Sequence, residues 1–257
     1  MTGQIFALNA VIILALAVVL WGCAARSGDP SFIDPAWGFG FVVIAWISFG
    51  LADEHSGAGW LLTILASAWG LRLGGYLLWR WRRNGPDPRY EAMVEGKENK
   101  SRYMLTHGFG LQAVLMLIVS LPLQFGHAYA ADDRAPALIV VGLALVVLGL
   151  AFEWTADFQL ARFKSDPSTR GRVMDKGLWR YSRHPNYFGD FCVWWGLFLI
   201  SVSSPITLVA VIGPLIMSVL LMRVSGVGPL EKQLHATKPK YQDYVAKTSA
   251  FFPRPPR

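Results

Sequence analysis

Seven apolar runs, at residues 5–25, 39–51, 60–79, 108–125, 135–154, 188–201 and 206–222, restrict what this chain can fold into more than any other feature. Several approach the roughly 20 residues that an α-helix needs to cross a bilayer core. A helix of a soluble protein would show polar residues at helical period on one face, and these runs mostly lack them. Charged residues are only 16% of the sequence, below the roughly 25% usual in soluble domains. The expected fold is an all-α integral membrane protein with about seven transmembrane helices. The first run has neither a basic leader nor a small-x-small cleavage site, so it reads as the first membrane helix. Cys23 and Cys192 both lie in apolar segments and read as packing residues. Neither a disulfide nor a metal framework is expected from them.

A formal charge of +7 would suit nucleic acid, but its placement argues for topology instead. With the N-terminus outside, the inner segments are 26–36, 80–107, 157–187 and 223–257, and they hold 22 of the 24 Lys and Arg residues. The remaining two are Arg134, in an outer loop, and Arg72, inside the third run. This asymmetry is what the positive-inside rule predicts, and it sets the C-terminus in the cytosol. Part of the basic excess is thus topology and attraction to anionic lipid. The rest is available to a small anionic ligand, and no nucleic-acid partner is expected.

Polar residues concentrate near the inner ends of the fifth and sixth runs. Glu153 and Asp157 are four apart and share a helix face. Arg162 and Lys164 follow them, and Arg170 and Arg172 stand in the loop beyond. Residues 177–190 then read Gly-Leu-Trp-Arg-Tyr-Ser-Arg-His-Pro-Asn-Tyr-Phe-Gly-Asp. Ser182 suits a helix cap and Pro185 a first helical turn. A helix starting there would aim free N–H groups at a point already holding Arg180, Arg183 and His184, which is a ready anion site. Asp190 lies one turn beyond Asn186, inside the apolar run, and needs a partner there. The basic tail, with Arg223, Tyr241 and Tyr244, reads either as an interfacial amphipathic helix or as a segment folded back over the site. In the third run Trp69, Arg72, Tyr76 and Arg80 align on one helix face, and Asp34 sits at the inner start of the second helix.

Over most of its length the sequence resembles the steroid 5-alpha-reductase family, in its bacterial DUF1295-type branch. The resemblance is strongest over 153–164, 177–190 and 226–253. Isoprenylcysteine carboxyl methyltransferases carry a similar Arg-His-Pro-x-Tyr-x-Gly run and a similar Tyr-x-x-Tyr tail. Sterol reductases share the cofactor half. The resemblance implies one membrane domain over 1–257, with substrate among helices one to four (1–126) and cofactor among helices five to seven (127–257). It implies a multi-pass protein of a bacterial inner membrane, monomeric, with its cofactor site facing the cytoplasm.

The implied cofactor is NADPH, whose family contacts fall on Asp157, Lys164, Asn186 and Asp190; Arg162, Arg172, Tyr181, Arg183, His184, Tyr187, Arg223 and Tyr241 are expected to join them. No metal ligands are implied. The implied reaction is reduction of the carbon–carbon double bond of a conjugated enone lipid, such as a 3-oxo-4-ene steroid. The family holds the substrate carbonyl with a Glu and a Tyr. Here the nearest acid is Asp34, Trp69 aligns with the family's Tyr, and Tyr76 stands two turns later. Asp34 and Tyr76 are therefore the expected catalytic pair. The alternative reading is a membrane methyltransferase using S-adenosylmethionine, a cofactor without phosphate. A lipid-binding or transport protein is a third, and it leaves Glu153, Asp157, Asn186 and Asp190 without a role.

Overall fold

The computed structural model describes residues 2–129, 134–224, 227, 228, 231, 234, 238 and 241–256. The helices are α1 (Thr2–Ser27), α2 (Ile33–Gly50), α3 (Gly57–Asn84), α4 (Pro88–Val94), α5 (Lys100–Val119), α6 (Leu121–Ala128), α7 (Pro136–Ser165), α8 (Pro185–Ser201), α9 (Pro205–Val224) and α10 (Tyr241–Lys247). Among the described residues no β-strand forms, which suits a chain whose backbone polar groups must be satisfied within lipid. Six helices, α1, α2, α3, α5, α7 and α9, are long and apolar enough to cross a membrane. The apolar run at 188–201 folds as α8, whose 17 residues reach about 25 Å at 1.5 Å per residue.

The outward faces suit a lipid environment. Val11, Val19, Val140 and Val147 are each more than half exposed, whereas a helix facing water would place polar groups there. Local stops agree with the sequence. Ser56 caps α3 by accepting from the Gly59 amide at 3.1 Å, and Asp87 caps α4 ahead of Pro88. α5 contains π-helical turns over Met104–Gly110, and α9 ends in π-helical turns over Leu220–Val224.

The chain divides into two compact units, residues 1–139 with 200–213, and residues 140–199 with 214–257. In the first, α2 and α3 touch backbone to backbone. A Cβ on Gly38 would lie 2.4 Å from the Gly70 carbonyl oxygen, so only glycine permits this approach. Asn9, wholly buried in α1, donates to Ser48 of α2 at 2.9 Å. In the second unit, α7 and α8 approach in the same way. A Cβ on Gly189 would meet the Gly149 carbonyl at 2.6 Å, and one on Gly196 the Gly142 carbonyl at 2.5 Å.

Candidate functional site

The close approach of α7 and α8 buries a polar set between them. Glu153 is 1% exposed and Asp157, one turn later, is 7% exposed. Across the contact the Asn186 side-chain amide donates to Asp157 Oδ1 at 3.3 Å. Asp190, a turn further along α8, is half-buried. Two or more carboxylates in an apolar helix pair are costly and mark function more often than packing. The turn ahead of α8 is pinned to α7. The Trp179 indole donates to the Ala156 carbonyl at 3.1 Å, and Gln159 accepts from the Leu178 amide at 3.0 Å. Gly177 has φ +61°, and a Cβ there would run into the Gln159 amide, which explains a glycine at this point.

The tail folds back onto this turn. Ser182 and Ser249 form a parallel bridge, and the Arg183 amide donates to the Ser249 carbonyl at 2.9 Å. Ser182 is not the cap of α8. Its hydroxyl donates to the Phe251 carbonyl at 2.7 Å and accepts from the His184 amide, and the helix starts at Pro185. The Tyr244 hydroxyl donates to the Trp179 carbonyl. Phe251 and Phe252 stack edge-on against Phe188 and Phe191, with ring centroids 5.6–6.3 Å apart.

Arg183 is the centre of that fold-back. Its Nε and Nη2 donate to the two oxygens of Glu231 at 2.7 and 3.2 Å, and its Nη1 donates to the carbonyls of Val245 and Thr248. His184 Nε2 lies 3.2 Å from Glu231 Oε1, and its ring stacks on Tyr187, 5.5 Å away and nearly parallel. Burial alone would raise the Glu231 carboxyl, but hydrogen bonds from His184 and Arg183 hold it down at about 2. Burial and the Glu231 charge push the buried Tyr241 phenol up to about 12.

The structure therefore gathers Asp157, Arg183, His184, Asn186, Tyr187 and Asp190 at one end of α7 and α8, with Tyr241 in the tail packed there. Arg162, Lys164, Arg172, Arg223 and Tyr181 are exposed. The Arg172 carbonyl accepts from Lys238, and the Tyr181 carbonyl accepts from the Arg254 amide. Glu231 was missing from the expected set; the signal for it is that it is one of only two acids, with Asp243, in a tail holding seven Lys and Arg residues.

In the first unit, Asp34 opens α2 and serves as an acceptor for three donors. Arg80 reaches it at 3.5 Å, Arg89 at 3.1 Å, and the Tyr90 hydroxyl donates to its other oxygen. Asp34 thus ties Arg80 and Arg89 to Tyr90 at the start of α2. Tyr90 itself, 6% exposed, is held well above the usual phenol range by burial and by Asp34. Tyr76 is half-buried in α3 beside Trp79, and Trp69 is fully buried against Phe41. The same unit holds a small, open apolar cleft lined by Ile13, Leu20, Ile33, Phe109 and Met116, with Trp37 and Gln112 hydrogen-bonded to each other in its wall.

Helices with lipid-type outer faces and a buried polar set define a multi-pass helical membrane protein. Within that class, residues 20–248 match the family described as a protein of unknown function, DUF1295, and the chain belongs to it. No curated protein and no solved structure matches it.

Proposed function

We propose that the protein reduces the carbon–carbon double bond of a conjugated enone lipid, such as a 3-oxo-4-ene steroid, using NADPH bound in the second unit. The observation that carries this reading is the part-buried contact between Asn186 and the buried Asp157, next to Glu153 and Asp190. These residues supply acceptors for ribose hydroxyls and for a carboxamide. The exposed cations Arg162, Lys164, Arg170, Arg172 and Arg180 supply the charge that phosphates need. The residues present thus fit a phosphorylated dinucleotide.

When bound, NADPH supplies a hydride. Reduction of an enone there would place negative charge on its carbonyl oxygen. In this reading Tyr76 donates a hydrogen bond to that oxygen and Asp34 holds the surrounding Arg80, Arg89 and Tyr90 in place. The α carbon then takes a proton from water. Arg183 is spent on Glu231 and the tail, so its role is to position rather than to bind phosphate. The reading further assigns a monomer in a bacterial inner membrane, with about seven spans, the N-terminus outside and the nucleotide site facing the cytoplasm.

One observation favours a methyltransferase using S-adenosylmethionine: committing Arg183 to Glu231 removes a cation from the phosphate set, and that cofactor has no phosphate. Titration of the purified protein with each nucleotide, together with turnover of an enone panel, separates the two. Saturable methyl-donor binding without NADPH binding would sink the reductase reading.

A further inference from the structure

We infer that the start of α8 presents two hydrogen-bond acceptors, His184 Nδ1 and Asn186 Oδ1, to a paired O–H or N–H donor of the bound nucleotide, and that Glu231 positions His184 for this by fixing its tautomer. This rests on the nucleotide-binding reading above.

His184 is 1% exposed, and its Nε2 lies 3.2 Å from Glu231 Oε1. A carboxylate oxygen accepts, so Nε2 carries the hydrogen, and in the neutral ring Nδ1 is left with a lone pair. Nδ1 is buried and has no hydrogen-bond partner among the described residues. The ring cannot readily turn to find one, because it stacks on Tyr187. The carboxylate cannot readily turn either, because Arg183 grips both its oxygens and is itself held by two tail carbonyls.

Asn186 follows the same logic. Asp157 Oδ1 accepts from Nδ2, which assigns the donor end of the amide. The acceptor end, Oδ1, is buried and has no hydrogen-bond partner among the described residues. Two carboxylates, Glu231 and Asp157, thus each consume the donor end of a neighbour and leave its acceptor end open. The two open acceptors stand two residues apart in the chain.

Buried acceptors left open are costly, so a ligand that supplies two hydrogens there is strongly favoured. A phosphate would bring lone pairs against lone pairs. On this inference the start of α8 takes a hydrogen-bond donor rather than an anion, and the phosphates fall to the exposed cations. The complement is a vicinal diol of a ribose or the NH2 of a carboxamide. Both are parts of NADPH, and the diol is also part of S-adenosylmethionine.

The test is calorimetric titration of the full-length protein in detergent with NADPH, with its reduced 3-acetylpyridine analogue and with S-adenosylmethionine. His184→Asn sets an amide oxygen near the Nδ1 position, whereas His184→Gln sets an amide near Nε2, where it keeps Glu231 company. His184→Asn is expected to bind within about threefold of wild type and His184→Gln about tenfold or more weaker. Equal affinities for the two variants overturn the inference. The acetylpyridine analogue keeps the ribose but lacks the carboxamide hydrogens. Binding like NADPH assigns the donors to the diol, and a loss of about tenfold assigns them to the carboxamide. If wild type binds only S-adenosylmethionine and the split persists, the acceptor pair stands and the reductase reading falls. If NADPH binds without the split, the reverse holds. Binding of neither nucleotide overturns both. Should a variant fail to fold, ¹⁵N-histidine spectra of wild type read the tautomer directly; hydrogen on Nδ1 rather than Nε2 in the neutral ring overturns the inference.

Discussion

Arg183 grips Glu231 through two hydrogen bonds, of 2.7 and 3.2 Å, with the two side chains only 9% and 19% exposed. This pair joins the turn before α8 to the segment after α9, and its effect on the second unit can be measured. Glu231→Ala leaves a buried guanidinium half-paired, and loss of one partner of such a pair costs on the order of 3 kcal/mol. The expected outcome is a lower melting temperature in detergent and faster proteolytic loss of the tail. Arg183→Lys keeps the charge but not the fork, and should recover only part of that loss.

Acid should release the same clasp. The Glu231 carboxyl sits at about 2 in the folded protein, below its ordinary value of 4.5. A carboxyl lowered by folding contributes stability that is fully present above the ordinary value and is lost as pH falls towards the folded one. Protection of the tail amides against hydrogen exchange is therefore expected to decline between about pH 4.5 and pH 2. In Glu231→Gln this decline should be absent from the Glu231-dependent part of the profile.

The glycines of α7 and α8 offer a packing test. Gly189→Ala drives a methyl to 2.6 Å from the Gly149 carbonyl, which neither helix can yield without moving apart. Overpacking of this kind costs about 1–3 kcal/mol, and it should also weaken nucleotide binding by separating Asn186 from Asp157. Gly75→Ala in α3 meets nothing within 4 Å. It should be neutral or stabilise by up to about 1 kcal/mol.

Much of this architecture is legible in the sequence because membrane helices write themselves as apolar runs. All seven runs fold as helices, and the four-residue spacing of Glu153 and Asp157 did put both on the buried face of α7. The pairing of α2 with α3 and α7 with α8 is less legible. It depends on which glycines face a partner, and Gly75 looks the same in sequence as Gly74. The role of Arg183 is not legible at all. Its guanidinium was as suited to phosphate as to a carboxylate, and only the return of the tail with Glu231 decides between them. Tyr90 was passed over for the same reason: α4 lies outside every apolar run, and its closure onto Asp34 is a tertiary contact.

The anchor in the first unit is tested by Tyr90→Phe and Tyr76→Phe. If Tyr76 polarises the substrate carbonyl, its loss should lower turnover by about 10²–10³ with substrate affinity little changed. Tyr90→Phe removes a buried hydrogen bond to Asp34 and should cost about 1 kcal/mol of stability, with a smaller effect on turnover. Steady-state kinetics with an enone substrate, paired with thermal melts, distinguish the two roles. A larger turnover loss in Tyr90→Phe would reassign the donor.

The most direct measurement is equilibrium binding of NADPH to the purified protein, wild type against Asn186→Ala, with S-adenosylmethionine titrated in parallel. The account predicts saturable NADPH binding to wild type, weakened about tenfold or more in Asn186→Ala while that variant still folds and purifies. Unchanged NADPH affinity in Asn186→Ala, or saturable binding of S-adenosylmethionine alone, would contradict it.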